Sequence, residues 1–134
     1  MSAHSQQGAE HEQILREMLE QFGPVFEKSP DGVYLYLDDN HKICNDKLAK
    51  MFGLTTKEWS AAPNFLGDFV AEQDQEKVAT NYQRHIATLT RPVVFRFRAL
   101  RKDGSTFTAE TEMIPISWRG NPVAYHFVRE TKSM

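Results

Sequence analysis

The chain has 134 residues and a mass of 15.4 kDa, with 40% hydrophobic, 25% charged and 11% aromatic residues, which is one ordinary globular domain able to bury a core without staples. Sixteen Lys and Arg against eighteen Asp and Glu give a net charge of −2, which excludes the basic face of a duplex nucleic-acid binder and a polybasic membrane anchor. A single cysteine, Cys44, excludes an intramolecular disulfide framework and a cysteine-built zinc site, and no apolar run approaches a membrane span. Met1–Gly8 does not read as a signal peptide, so a cytoplasmic setting is expected.

Residues 1–9 (MSAHSQQGA) are small and polar and are expected to form a disordered tail. Over residues 10–23, Ile14, Leu15, Met18, Leu19 and Phe22 recur at helix-face spacing, and Gly23-Pro24 reads as the stop. This helix can bury its stripe in two ways: on an apolar sheet face, or against its twin from another chain. Pro30-Asp31-Gly32 is a turn, and Val33–Leu37 (VYLYL) is a strand run. Asp38-Asp39-Asn40 is turn chemistry, returning as a short second strand over His41–Cys44. Asn45 suits the N-cap of a helix over Asp46–Phe52, closed by Gly53, and Thr55–Glu58 reads as a capping box opening another. Pro63–Phe69 is an aromatic-rich loop that should fold onto the core.

A longer helix is predicted from a cap at Asp74 to Leu89, with Val78, Tyr82, Ile86 and Leu89 on one face, His85 beside them, and Pro92 as its end. The rest is β: Val93–Arg101, Ser105–Ile116 and Pro122–Arg129, joined at Lys102-Asp103-Gly104 and Arg119-Gly120-Asn121. This order predicts an α+β fold, an antiparallel sheet with its helices on one face. A three-residue hairpin loop with Gly104 in the left-handed position sets Arg96 opposite Glu110 and Arg98 opposite Thr108, with Phe95, Phe97, Ala109 and Thr111 on the other side. A two-residue loop would set Phe97 against Glu110, which alternation disfavours.

Several of these segments, in this order, resemble one family. Pro30-Asp31-Gly32, a strand, an Asp-rich turn, a strand ending at Asn45 and a helix ending at Phe52-Gly53 are similar to the opening of a PAS domain. Phe69–Asp74 (FVAEQD) resembles the segment before that family's long helix, Arg98–Gly104 (RALRKDG) its central hairpin, and Val128–Thr131 (VRET) its last-strand exit, with Glu130 in place of the family's Asp. The resemblance covers residues 25–132. It implies a five-stranded antiparallel sheet in the order 2-1-5-4-3, with helices closing one face over a core or a ligand cavity. It also implies a sensory and interaction module in signal transduction, as in two-component or transcription regulation, working as a homodimer with an output domain or a partner kinase or regulator.

The resemblance also bears on cofactors. The position matching the haem-ligating histidine of haem-binding relatives falls near Lys77 or Val78, and neither ligates iron. His85 reads as an ordinary helix histidine. Trp59–Asp68 holds no cysteine for a covalent flavin adduct, and Cys44 reads as a small buried apolar residue. Haem and covalently reacting flavin are therefore not expected, whereas a small organic ligand fits the family. The five histidines (His4, His11, His41, His85, His126) show no metal-ligand spacing, no nucleophile elbow or phosphate loop is present, and no catalytic residue is assigned. Trp59 and Trp118 are expected to pack.

Strand alternation places Val93, Phe95, Phe97, Ala109, Thr111, Met113, Ala124, His126 and Val128 inward, faced by Tyr82 and Ile86. The expected ligand site is Tyr82, Ile86, Phe95, Phe97, Thr111, Met113 and His126, with a small polar ligand, such as a carboxylate, held by His126 and Thr111. The expected dimer interface is Ile14, Leu15, Met18, Leu19, Phe22, Tyr125 and Phe127. The first strand turns either Tyr34 and Tyr36 or its Val/Leu set to that outer face. Two other readings stand beside this one. The first is a pure dimerisation module whose aromatics fill the core. The second is a small cone-shaped enzyme resembling ketosteroid isomerase, which needs an inward acid beside a tyrosine, where Glu110 and Glu112 point outward.

Overall fold

The VYLYL run organises the molecule because both of its faces are buried. A computed structural model describes residues 3–86 and 91–132, with side chains for 8–84 and 91–132. Strand β1 (Gly32–Asp38) lies between β2 (His41–Cys44) and β5 (Asn121–Thr131). Next to β5 comes β4 (Thr106–Trp118), and β3 (Val93–Leu100) forms the far edge. All pairings are antiparallel, in the order β2-β1-β5-β4-β3, as expected. The β3–β4 hairpin has the predicted register: Arg96 opposite Glu110, Phe97 opposite Ala109 and Arg98 opposite Thr108. Gly104 supplies the left-handed turn residue at φ +88°, and the Arg96–Glu110 pair at 3.8 Å stays on the wet face.

Helix α1 (Ala3–Lys28) covers the outer face of its own chain's sheet. Ile14, Met18 and Phe26 are buried there against Val33, Leu35, Leu37 and Val123, each full burial contributing about 1.5–3 kcal/mol. Phe22 adds edge contacts to Trp118 and Tyr125, and Glu17 accepts the Trp118 indole N–H at 3.0 Å. The helix departs from the expected tail at 1–9 and helix at 10–23: it starts at Ala3 and continues through Pro24. Gly23 does not adopt the left-handed cap conformation. The last turn persists because Phe26 is buried and because Asn45 Nδ2 donates to the Phe26 carbonyl at 3.0 Å, satisfying a group that a helix end leaves open. Ile14 and Met18 are thereby spent inside the chain, which corrects their expected place in a dimer interface. Leu15, Phe22, Tyr125 and Phe127 keep partial exposure and Leu19 is 48% exposed.

The inner face carries the other helices. Asn45 caps α2 (Asp46–Met51) by accepting from Leu48 N–H, and its Oδ1 also accepts from Val33 N–H, so one side chain ties helix to strand. Both halves of the predicted Thr55/Glu58 capping box are present at α3 (Thr56–Ala61). The expected Pro63–Phe69 loop instead holds a short helix, α4 (Phe65–Phe69), capped by Asn64, with Phe65 and Phe69 buried as anticipated. A 3-10 turn (Glu72–Asp74) leads into α5 (Gln75–Ile86). The segment beyond Ile86, including Leu89, lies outside the described residues. Trp59 and Trp118 both pack, Trp59 fully buried beneath Tyr34 and Phe69. The thiol of Cys44 is buried and its pKa pushed up to about 12 by that burial. The first and last motifs meet where Arg129 pairs with Asp31 at 3.3 Å. Among the described residues no helix is long and apolar enough to cross a membrane.

Candidate ligand site

A cavity of about 210 Å³ opens between α5 and the sheet. Its floor is Phe95, Met113 and His126 from β3, β4 and β5, with Tyr34 and Tyr36 from β1. Val78, Ala79, Tyr82 and Gln83 of α5 form one wall, and Asn64, Phe65 and Leu66 at the start of α4 form another, with Asp39 at the rim. Polar side chains hold the walls apart. The Asp74 carboxylate accepts from Arg98 N–H at 2.7 Å, pinning the start of α5 to β3, where a helix cap was expected. Gln75 Nε2 donates to the carbonyls of Leu66 and Val70, both at 3.1 Å, joining α5 to α4. Lys42, buried beside Trp59, donates to the carbonyls of Asp39, Ser60 and Ala62 and fixes the β1–β2 turn against the end of α3. Burial pushes its ammonium pKa down, against nearby carboxylates.

The central group is His126, stacked flat on Tyr34 with ring centroids 3.9 Å apart. It is 3% exposed, and Nδ1 makes no hydrogen bond. Burial pushes its pKa down to about 3, and backbone groups at Tyr34 and Ala124 oppose that shift without reversing it. The imidazole is therefore neutral at physiological pH, able to donate or accept but not to supply a positive charge. Tyr36 donates to Asp39 Oδ1 at 2.7 Å, and Phe65 N–H reaches the same oxygen at 3.4 Å. Burial, then the Asp39 contact, pushes the Tyr36 hydroxyl well above its ordinary range; Tyr82, facing it at 5.3 Å, is pushed up to about 12. Asp39 is the only charged residue in the cavity wall among the described residues.

A sequence profile described as the PAS fold matches residues 29–129. The chain belongs to the PAS family. Solved PAS domains share its architecture. That of an HTR-like protein from Haloarcula marismortui aligns over 92% of this chain and 99% of its own, with 21% identity and a TM-score of 0.64. A PAS domain from Colwellia psychrerythraea aligns over 86% and 98%, with 17% identity and a TM-score of 0.69. The PAS domain of a LuxR-family transcriptional regulator from Burkholderia thailandensis, solved in complex with ethanol, aligns over 81% and 96%, with 16% identity and a TM-score of 0.65. At these identities the likeness is one of fold. No curated protein matches the chain by sequence. PAS domains are sensory and signalling modules, and that coarse function holds for this one.

Of the residues expected to hold a ligand, Tyr82, Phe95, Met113 and His126 line the cavity of this PAS domain. Phe97 and Thr111 do not. Phe97 is 2% exposed within the filled aromatic cluster, and Thr111 is sealed at 0% with its hydroxyl unpaired. The Ile86 side chain lies outside the described ones, as do those of His85 and His4. Tyr34, Tyr36 and the α4 residues were missed as walls, the former because either face of β1 could have been the inner one. The acid thought to be absent is Asp39, from the β1–β2 turn. Nor did spacing reveal that His11 and His41 converge on Asp38: His11 lies 27 residues from it in sequence.

Proposed function

We propose that this PAS domain is a non-catalytic sensor that binds a small neutral molecule in the α5 cavity and passes the signal on as a homodimer. The observation that carries the reading is the cavity itself: about 210 Å³ walled by apolar groups and rings, with the polar side chains of Tyr34, Tyr36, Asn64, Tyr82 and Gln83 and the buried, uncharged imidazole of His126 set among them. A few hydrogen-bonding side chains in an otherwise apolar wall orient a small ligand, and a ligand hydroxyl or amide suits them. Among the described residues the wall offers no cation and one carboxylate, Asp39, so an uncharged hydrogen-bonding molecule suits it better than the carboxylate suggested by sequence. The ethanol held by the Burkholderia relative belongs to the same chemical class. Asp39 and Tyr36 engage each other, which argues for a brace at the cavity rim and against the acid–base pair of an isomerase. For dimerisation, α1 leaves Leu19 and Val25 exposed, at 48% and 64%, as contacts for a second copy. Thermal-shift and calorimetric titrations with short alcohols, amides and the matching carboxylates test the site. The neutral compounds should stabilise the wild type, the carboxylates should not, and His126→Ala should abolish the response. A response kept in full by His126→Ala would remove His126 from the site.

A further inference from the structure

We propose that His11, Asp38 and His41 form a binding site for a divalent transition-metal ion of the zinc class, which clamps α1 to the β1–β2 hairpin. The three side chains come from three elements: His11 from α1, Asp38 from the end of β1 and His41 from the start of β2. Their potential ligand atoms all lie within 4.8 Å of one another. Both imidazoles present Nδ1 to the same carboxylate: His11 at 2.6 Å from Oδ2, and His41 at 2.8 Å from Oδ1 and 3.0 Å from Oδ2.

Two imidazoles and a carboxylate are the donor set that zinc and its neighbours favour over magnesium or calcium, with a fourth position left for water. Metal–ligand bonds of about 2.0–2.1 Å set tetrahedral ligand–ligand edges near 3.3 Å, so the Nδ1···O pairs open by about 0.3–0.7 Å while the widest ligand pair, within 4.8 Å, closes by up to about 1.5 Å. The ion would take the place of the hydrogens that now bridge these pairs, each neutral imidazole coordinating through Nδ1 and carrying its N–H on Nε2.

The backbone arranges this convergence. The β1–β2 register slips between Tyr36 and Asp38, so that Asp38 pairs with His41, the kind of irregularity that re-aims side chains. Asn40 N–H holds Asp38 Oδ1 at 2.8 Å, a partner that orients the carboxylate. The His11 side chain is 8% exposed, His41 22% and Asp38 40%, so one side is dry and the other is open to an entering ion. Asp38 adjoins Asp39 at the cavity rim, but the metal site uses none of the cavity residues and stands apart from the ligand reading.

The test uses the full chain without a histidine tag, stripped by chelation and titrated with Zn(II) by calorimetry and Co(II) by visible absorption. One ion per chain should bind with micromolar or tighter affinity, Co(II) should show the d–d bands of a low-coordinate nitrogen–oxygen site, and the thermal midpoint should rise with zinc. His11→Ala and His41→Ala should each weaken binding at least about tenfold, no less than the loss of an outer-shell partner does. Absence of micromolar binding, or a double variant that binds like wild type, overturns the proposal. Should the variants fail to fold, substoichiometric Ni(II) on the wild type decides: NMR broadening centred on His11, Asp38 and His41 supports the site, and broadening centred elsewhere sinks it.

Discussion

The two ends of the inner core are built from similar amounts of aromatic ring but finish differently. At one end Phe52 meets Phe69 at 5.1 Å and Phe107 at 5.3 Å, and Trp59 stacks on Phe69 at 5.4 Å. These rings interlock with almost no exposed surface. At the other end the rings carry polar tips: Tyr34 on His126, and Tyr36 against Tyr82. Phenyl rings can close on one another from any side, whereas a phenol or imidazole must keep a direction open for a hydrogen-bond partner. The cavity lies where Tyr34, Tyr36, Tyr82 and His126 join the phenyl rings of Phe65 and Phe95. The difference teaches that this domain's open space follows from side-chain chemistry more than from backbone shape.

The largest expected effect tests the packed end. Phe97→Ala should destabilise the domain by about 3–5 kcal/mol, since a 2% exposed ring leaves a void that its neighbours cannot fill. The same truncation at Tyr82, which already borders empty volume, should cost less than about 2 kcal/mol. Urea denaturation of both variants measures the contrast, and equal losses would mean that the two ends do not differ in packing.

The second prediction concerns the charge state of the open end. The His126 pKa falls from 6.5 to about 3 on folding. Between those values the unfolded chain takes up a proton that the folded one refuses, so stability is full above the ordinary histidine range and falls as pH is lowered through it. The slope is at most about 1.4 kcal/mol per pH unit, or about 2 kcal/mol between pH 7 and pH 5. Isothermal melts at the two pH values should show that loss in wild type and a drop smaller by about that amount in His126→Leu. An identical drop in both proteins would mean that His126 is not held neutral.

How much of this contrast the sequence carried depends on alternation. In β3 and the first half of β4, apolar and polar residues alternate, so the hairpin register and the inward places of Phe95 and Met113 could be read directly, whereas His126 lies in a mostly apolar run, Val123–Val128, and its inward place rested on a choice of face. In β1 every residue from Val33 to Leu37 is apolar or aromatic because α1 covers one face and α3 to α5 the other, and a strand buried on both sides carries no sign of which face is which. Asn64 to Leu66 were hidden for a different reason. The five-residue helix α4 is too short for a period, and its cap was the only local signal. Pro24 misled because burial of Phe26 on the sheet outweighed a local stop signal.

The smallest effect concerns Thr111, where sign carries more than size. Its side chain is 0% exposed on β4, opposite Val128, and Oγ1 has no hydrogen-bond partner. Valine keeps the shape and removes the hydroxyl. If the hydroxyl is sealed and unpaired, as the packing indicates, Thr111→Val no longer buries an orphaned polar group and should stabilise the domain by up to about 1 kcal/mol, with the cavity's ligand response unchanged. A loss of stability would mean that the hydroxyl has a partner in solution. A lost ligand response at unchanged stability would mean that the cavity reaches past Met113 to Thr111, and the line between the packed and open ends would then move by one inward residue along β4. Denaturant midpoints and thermal-shift titrations on the same variant separate these outcomes.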